Sequence, residues 1–313
     1  MLCNDRKKYK SFTLKIPNQT FTSYAALFFL SAIWGSSFLF IKLSINSIPP
    51  TLLTFYRLLI ASFFLLLFYK KMSIKKILLG NRLLIFGIAI FGNVIPFNLI
   101  SMSEVYVDSV VASTLIGTMP FFTFLLSYIL FKNQRSYFFS FLGIVIGFLG
   151  MIVFINPSEV SSANTSFIFS SLIVLSAFFY AFSANLVKKI KNYSSLEIAT
   201  LTTILATILS FPFLLLNLFV SGYMLKDVIV NITYQDFISA TILGVVCTGL
   251  AAVVFFYIIK IRTAVFASQS NYLIPCFGSV WSYFFLQENL SQNMLYGLIL
   301  IVIGGWIVNK SLK

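Results

Sequence analysis

The chain contains no histidine, which removes the side chain that most often serves as an acid–base group or metal ligand near neutral pH. Its three cysteines, Cys3, Cys247 and Cys276, show neither disulfide pairing nor metal-ligand spacing. No phosphate-binding G-x4-G-K-[ST] motif occurs, so the sequence argues against direct ATP hydrolysis. We therefore expect neither a metal nor an organic cofactor.

Charged residues are scarce as well. Only 10% of the 313 residues are charged, whereas 59% are hydrophobic. A soluble protein of this size carries about a quarter charged residues. The polar side chains are too few to cover a water-facing surface, so the composition predicts a protein embedded in the lipid bilayer.

The long apolar stretches give the number of spans. A helix needs about 20 mostly apolar residues to cross the hydrocarbon. The stretches do not alternate polar and apolar residues as barrel strands would, which favours helices. We predict an all-α membrane protein with ten transmembrane helices, at 24–45, 51–69, 83–103, 109–131, 137–155, 167–187, 195–220, 236–259, 264–286 and 292–309.

The placement of the basic residues predicts the orientation. Nineteen of the 22 Lys and Arg residues precede the first span or follow the second, fourth, sixth, eighth and tenth. By the positive-inside rule both termini are cytoplasmic, and residues 1–23 form a cytoplasmic tail. Because topology accounts for the net charge of +14, we expect no nucleic-acid partner. The tail lacks the features of a signal peptide, so we expect the first span to be retained in a multi-pass protein of the cytoplasmic membrane.

One apolar pattern occurs twice. The segments ASTLIGTMPFFTFLLSY (112–128) and ASQSNYLIPCFGSVWSY (267–283) share a skeleton 155 residues apart. Further glycine-spaced segments follow at 143–150 and 297–304. These matches divide the chain into two repeats, 24–155 and 167–310. Because each holds five spans, an odd number, the repeats are inverted, which predicts alternating access to a site near the bilayer midplane.

The shared residues have structural interpretations. Pro120 and Pro275 fall near the middle of spans four and nine, where we expect them to kink the helices. A carbonyl freed by such a kink could face a substrate or be satisfied locally. The repeated glycines allow helices to approach closely, so we interpret them as packing residues.

Several motifs resemble a known family. SAIWGSSFLFIKLSI in span one, TFYRLLIASFFLLL in span two and IPFNLISMSEVYVDSVVASTLIGTMPFFTFLLSYIL in spans three and four are similar to EamA-type members of the drug/metabolite transporter superfamily. SAFFYAFSANLVKK in the second repeat departs from the pattern because it lacks W-G-S. The resemblance implies ten helices around a central cavity and movement of a small organic solute.

Charged residues within or beside the spans are energetically costly in lipid, so we expect each of them to have a structural or functional role. Lys42 either extends to the membrane interface or faces the cavity. Arg57 either binds a substrate carboxylate or forms an ion pair with Glu104 or Asp108. If a proton drives transport, Glu104 is the first candidate carrier, although it could also be an inert interfacial carboxylate.

Uncharged polar side chains lie deeper in the spans. Buried polar groups in lipid need partners, which a substrate or cavity water can provide. For any one of these residues, a hydrogen bond between helices is the alternative. As a set we predict that they line the substrate pathway: Trp34, Ser36, Ser37, Asn93, Asn98, Tyr180, Asn185, Gln269, Asn271 and Tyr272.

These features favour a secondary transporter that moves a small organic metabolite, an amino acid or a related solute, by alternating access. A membrane-embedded lipid-modifying enzyme is one alternative, but the eight acidic residues are scattered and no histidine accompanies them. A non-transporting scaffold is another, but the loops are short. The sequence leaves open the solute, its direction, the coupling ion and whether the chain forms a homodimer.

Overall fold

The computed structural model describes residues 19–68, 74–131, 137–155, 164–221, 230–286 and 292–311. Within these ranges the chain is helical and contains no strand. Residues 1–18 of the predicted cytoplasmic tail lie outside them. The α-helices are α1 (Gln19–Ser44), α2 (Pro50–Leu67), α3 (Ile74–Ala89), α4 (Ile95–Ser103), α5 (Ser109–Leu115), α6 (Met119–Phe131), α7 (Tyr137–Ile155), α8 (Asn164–Lys189), α9 (Ser195–Ser221), α10 (Tyr234–Ile242), α11 (Ala251–Ile261), α12 (Ala264–Ser268), α13 (Ser270–Leu286) and α14 (Gln292–Ser311).

Seven helical segments in the described part of the chain are long and apolar enough to cross a membrane: Thr20–Ser44, Pro50–Leu67, Gly80–Ser103, Val111–Phe131, Phe167–Lys189, Ser195–Ser221 and Tyr234–Ile261. Two shorter apolar helices, Phe138–Phe154 and Leu295–Val308, fall at predicted spans five and ten. Helices α12 and α13 fall at predicted span nine. The all-α membrane class is confirmed, whereas the count of ten and the inverted repeat remain predictions.

Local sequence signals explain several helix starts. Pro50 opens α2, where its missing N–H needs no partner. At the start of α9, the Glu197 N–H donates to the Ser194 hydroxyl (3.2 Å) and the Ser194 N–H donates to the Glu197 carboxylate (2.7 Å). This reciprocal capping satisfies two backbone donors that a helix start would leave unpaired. Thr263 caps α12 by accepting from the N–H of Phe266.

Four interruptions break the long helices. A π-helical segment, Ile90–Val94, separates α3 from α4, and a second, Leu243–Leu250, separates α10 from α11. A 3-10 turn, Ile116–Thr118, separates α5 from α6, and Pro120 is the second residue of α6. Gln269 separates α12 from α13, while Pro275 lies inside α13 and not at the break. The interruption of span nine therefore comes before its proline.

The helices pack as a bundle around a buried core. Helix α1 packs on α13, α2 packs on α9, and α8 packs on both α4 and α6. Helices α7 and α14 approach most closely at their glycines, as the repeated glycine spacing predicts. The main apolar core combines residues from both halves of the sequence, including Leu30, Leu53, Ile173 and Ile258, all without exposed surface.

Candidate functional site

A cavity of about 90 Å³ lies inside the bundle. A cavity of this size holds several water molecules. Six pairs of lining residues are each separated by 155 residues, the same offset as the repeated apolar pattern: Gly92 and Cys247, Asn93 and Thr248, Phe97 and Ala252, Ile100 and Phe255, Ile116 and Asn271, Met119 and Ile274. The other lining residues are Trp34, Ser37, Phe38, Ile41, Arg57, Tyr180, Ser183 and Phe256.

The interrupted helices supply much of this lining. Gly92 and Asn93 belong to the first π-helical segment, and Cys247 and Thr248 belong to the second. Shifted by 155 residues, the segment Ile90–Val94 falls at 245–249, inside Leu243–Leu250. π-helical turns are rare and occur frequently at functional sites. The cavity therefore lies where both halves depart from regular helix.

Arg57 is the one charged side chain that the described part of the chain places in the cavity lining. It is 4% exposed. Its Nε donates to the Thr248 hydroxyl at 3.0 Å, and its guanidinium carbon lies 3.9 Å from the centre of the Phe97 ring. The Thr248 hydroxyl itself donates to the Leu243 carbonyl at 2.9 Å. Within the described residues the two terminal NH₂ groups of Arg57 make no hydrogen bond, so they remain available to the cavity.

The expected ion pair of Arg57 is not observed. Within the described ranges Arg57 makes no salt bridge with Glu104 or Asp108. Instead, the Nε of Arg57 donates to the Thr248 hydroxyl, and one face of the guanidinium packs on the Phe97 ring. In this conformation the charges of Arg57 and Glu104 interact only at longer range, without a direct ion pair.

Other polar groups of the lining are only partly satisfied. Trp34 Nε1 donates to the Cys247 carbonyl at 3.2 Å. Asn271 Nδ2 donates to the Ser268 carbonyl at 2.9 Å, and Asn93 Nδ2 makes only a long bond, 3.4 Å, to the Ile88 carbonyl.

The hydroxyl groups of Tyr180 and Ser183 form no hydrogen bond with another described residue. The lining therefore offers hydroxyl donors as well as the amide oxygens of Asn93 and Asn271.

The structure brings six of the predicted pathway residues together in this cavity: Trp34, Ser37, Arg57, Asn93, Tyr180 and Asn271. The other predicted residues lie elsewhere. Ser36 donates to the Ile33 carbonyl, and Asn98 donates to the Val94 carbonyl. Asn185 donates to the carbonyls of Ala181 and Thr123, the second of which belongs to another helix.

Gln269 and Tyr272 line a different cavity, between the start of α1, the start of α13 and the end of α14. The Tyr272 hydroxyl donates across to the Ile144 carbonyl of α7 at 3.0 Å. The amide nitrogen of Gln269 is buried without a hydrogen-bond partner. For Tyr272, the structure therefore shows a hydrogen bond between two helices and no place in the lining of the central cavity.

Lys42 and Glu104 meet beyond the central cavity. Lys42 Nζ donates to the backbone carbonyl of Glu104 at 2.9 Å, which satisfies a carbonyl at the end of α4. The Glu104 side chain has no exposed surface, its Oε2 accepts from the Ser109 hydroxyl at 3.2 Å, and its Oε1 has no partner. Glu104 lies one residue beyond the span Gly80–Ser103.

Burial raises the pKa of the Glu104 carboxyl well above its usual range, and the Ser109 hydrogen bond and the charges of Lys42 and Arg57 oppose this only in part. A buried carboxyl of this kind favours its protonated form.

Sequence reasoning missed several lining residues, notably Ser183, Cys247 and Thr248. Cys247 shows no disulfide or metal spacing in the sequence, and Thr248 carries no charge or motif that singles it out. Adding the 155-residue offset to Asn93 would have identified Thr248, and adding it to Gly92 would have identified Cys247. Within the described residues no three His, Cys, Asp or Glu side chains are placed to hold a metal ion.

A multi-pass helical bundle with a partly polar cavity between its two halves is the architecture of a membrane transport protein. The chain belongs to the EamA-like transporter family, whose model matches residues 22–156 and again residues 168–310. This confirms the family that the motifs of spans one to four indicate.

Known relatives agree with that class. The chain is 27% identical to the uncharacterized transporter YoaV of Bacillus subtilis, over 88% of this chain and 92% of YoaV. It is also 27% identical to an uncharacterized transporter of Archaeoglobus fulgidus, over 88% and 94% of the two chains. A solved crystal structure with 14% sequence identity matches with a TM-score of 0.70 over 93% of this chain and 97% of the other, which supports the fold alone.

Proposed function

We propose that this protein is a secondary transporter that moves a small organic metabolite, such as an amino acid or a related solute, across the cytoplasmic membrane by alternating access. The observation that carries the proposal is the set of six residue pairs at a constant offset of 155 around one cavity. A duplicated unit that contributes equivalent positions to one cavity is the arrangement that allows a site to open to either side.

The two repeats, 24–155 and 167–310, would exchange roles between the two states. In an inverted pair, the conformation of one half in the outward-open state becomes that of the other half in the inward-open state. The π-helical segments Ile90–Val94 and Leu243–Leu250 offer the points at which the helices could bend, because their hydrogen bonding is already irregular.

The volume of the cavity supports two parts of the proposal, a small solute and helices that move to admit it. Pockets for drug-sized ligands measure roughly 300–1,000 Å³. The cavity of about 90 Å³ is well below that range. We propose that helices part to admit the solute and that this conformation is contracted.

A gradient would supply the energy, because the chain has no phosphate-binding motif for ATP. Glu104 is the residue we propose as carrier if the coupling ion is a proton. Its buried carboxyl, which lacks a partner on Oε1, supports this role.

The experiment that tests the proposal uses purified full-length protein reconstituted in sealed lipid vesicles. Uptake of a broad panel of labelled metabolites is compared with empty vesicles, with and without a proton gradient. We expect at least one solute to accumulate above the empty-vesicle level. If none does, the protein is not a transporter of the proposed class.

Two variants control this measurement. Ala252→Phe fills the cavity wall with the bulkier side chain that its counterpart Phe97 already carries, so it should abolish uptake. Leu67→Phe adds similar bulk to a side chain that is 81% exposed on the outside of the bundle, so it should leave uptake unchanged. Equal uptake by the wild type and Ala252→Phe would place the pathway elsewhere.

A further inference from the structure

The charge balance of the central cavity is uneven. Among the described residues, its lining contains one guanidinium, from Arg57, and no Lys, Asp or Glu. A buried charge is unfavourable unless hydrogen bonds and an opposite charge compensate it. The Thr248 hydroxyl and the Phe97 ring stabilise the guanidinium in part, but neither one neutralises it. Glu104 interacts with the Arg57 charge at longer range but is not part of the lining and forms no ion pair with it, so the guanidinium has no salt-bridge partner in the cavity.

The free donors of Arg57 are held in one orientation. Thr248 fixes Nε from one side, and the Phe97 ring covers one face of the planar group. What remains is the pair of terminal NH₂ groups, whose parallel N–H bonds match the two oxygens of a carboxylate. Because the side chain is already immobilised, binding there costs little further conformational entropy.

The rest of the lining limits what else a ligand can be. Trp34, Phe38, Phe255 and Phe256 give the cavity a largely apolar and aromatic wall. A cationic solute would be repelled by Arg57 and would find no carboxylate. A phosphate ester carries close to two negative charges and would need a second cation. A neutral solute would leave the guanidinium unpaired.

We propose that the central cavity binds a small solute with a single carboxylate group, which pairs with the terminal NH₂ groups of Arg57 while its apolar part packs on the aromatic wall. This inference rests on the proposed transport function for its biological meaning, but binding itself does not require transport. Tyr180 and Ser183, whose hydroxyl groups have no partner among the described residues, provide further donors for the carboxylate oxygens.

Binding to the purified protein tests this directly. The probes are short-chain carboxylic acids, hydroxy acids and amino acids at millimolar concentration, each with the amide and the amine of the same carbon skeleton. The readout is thermal stabilisation, followed by equilibrium dialysis of the strongest probe. We expect at least one carboxylate to bind, and its matched amide and amine to bind about tenfold to a hundredfold more weakly.

Four variants separate a pairing role from a general effect of charge. Arg57→Gln should weaken carboxylate binding about tenfold to a hundredfold, and Arg57→Lys should recover part of it, because an ammonium keeps the charge but not the two parallel N–H bonds. Thr248→Val keeps Arg57 but removes the anchor of its Nε, so it should give a smaller loss. Lys189→Gln removes an exposed positive charge outside the cavity and should bind as the wild type does.

The outcomes are distinguishable from a failure of the transport proposal. Carboxylate binding that depends on Arg57, without uptake into vesicles, would support this inference and contradict transport. Uptake of neutral or cationic solutes that Arg57→Gln leaves unchanged would support transport and overturn this inference. Absence of binding by every carboxylate, or equal binding by a carboxylate and its amide, would also overturn it. Should Arg57→Gln fail to fold, Arg57→Lys and Thr248→Val still decide the question.

Discussion

Gly143 on α7 and Gly304 on α14 lie with their backbones in direct contact. A methyl carbon built on Gly143 would come within 2.7 Å of the Gly304 carbonyl oxygen, and one built on Gly304 within 2.5 Å of the Gly143 carbonyl oxygen. Gly150 and Gly297 repeat the relationship about two turns further along the same helices. Two helices can approach this closely only where neither carries a side chain.

Substitution of either glycine should therefore separate the two helices. We expect Gly143→Ala and Gly304→Ala each to lower the free energy of unfolding by about 1–3 kcal/mol, the usual cost of overpacking. Thermal unfolding of the purified protein measures this. Gly80→Ala is the matched control, because no atom lies within 4 Å of a methyl group built at Gly80. The control should be neutral or stabilising by up to about 1 kcal/mol, and equal losses at all three positions would contradict the packing.

Glu104 should make stability depend on pH. Its folded-state pKa is raised by burial, so the folded protein binds the proton more tightly than the unfolded chain does. The stabilising effect of the protonated carboxyl is complete below the unfolded pKa of about 4.3 and is lost as the pH rises through the folded pKa, by up to about 1.4 kcal/mol per pH unit. The charges of Lys42 and Arg57 limit the loss.

Glu104→Gln removes this titration. We expect the variant to unfold at a temperature close to that of the wild type near pH 5 and at a higher temperature near pH 8. Asp108→Asn is the control, because Asp108 is exposed, and it should not reproduce the effect. A temperature difference between Glu104→Gln and the wild type that stays constant across this range would contradict the assignment.

Both chain ends should lie on the cytoplasmic side. The test uses two proteins in which Cys247 and Cys276 are replaced by serine. One keeps the natural Cys3 as its single cysteine, and the other carries Lys313→Cys with Cys3 also replaced by serine. A membrane-impermeant maleimide should label neither end in intact cells and both ends after permeabilisation. Labelling of only one end in intact cells would place the termini on opposite sides and would contradict the inverted repeat.

Asn271 and Tyr272 are neighbours in the sequence but should behave differently. Asn271 lines the central cavity, whereas the Tyr272 hydroxyl holds α13 to the Ile144 carbonyl of α7. We expect Asn271→Ala to reduce solute uptake with little change in unfolding temperature. Tyr272→Phe should lower the free energy of unfolding by about 1 kcal/mol and leave uptake per folded molecule intact. The reverse pattern would show that Tyr272 faces the solute.

The same pair explains how far the sequence alone can predict the site. Hydropathy located the helices, because burial in lipid demands long apolar segments whatever the details of packing. It could not choose among Gln269, Asn271 and Tyr272, because neighbouring residues on a helix point about 100° apart and only one direction faces the cavity. Ser36 and Ser37 divide in the same way, with only Ser37 in the lining.

The irregular helix turns were harder to foresee. The segments Ile90–Val94 and Leu243–Leu250 have no proline, and their hydropathy does not distinguish them from ordinary helix. Arg57 was recognised as a candidate because charge in a span is rare. Its partners, Thr248 and Phe97, depend on contacts between helices that are distant in the sequence.

In none of the six residue pairs around the cavity are the two residues identical: glycine corresponds to cysteine, asparagine to threonine, and phenylalanine to alanine in the other half of the chain. A molecule in the cavity therefore contacts different side chains from the two halves of the chain. An asymmetric solute should bind in one preferred orientation. The two halves therefore share a sequence skeleton at the cavity but not the side chains that a bound molecule would contact.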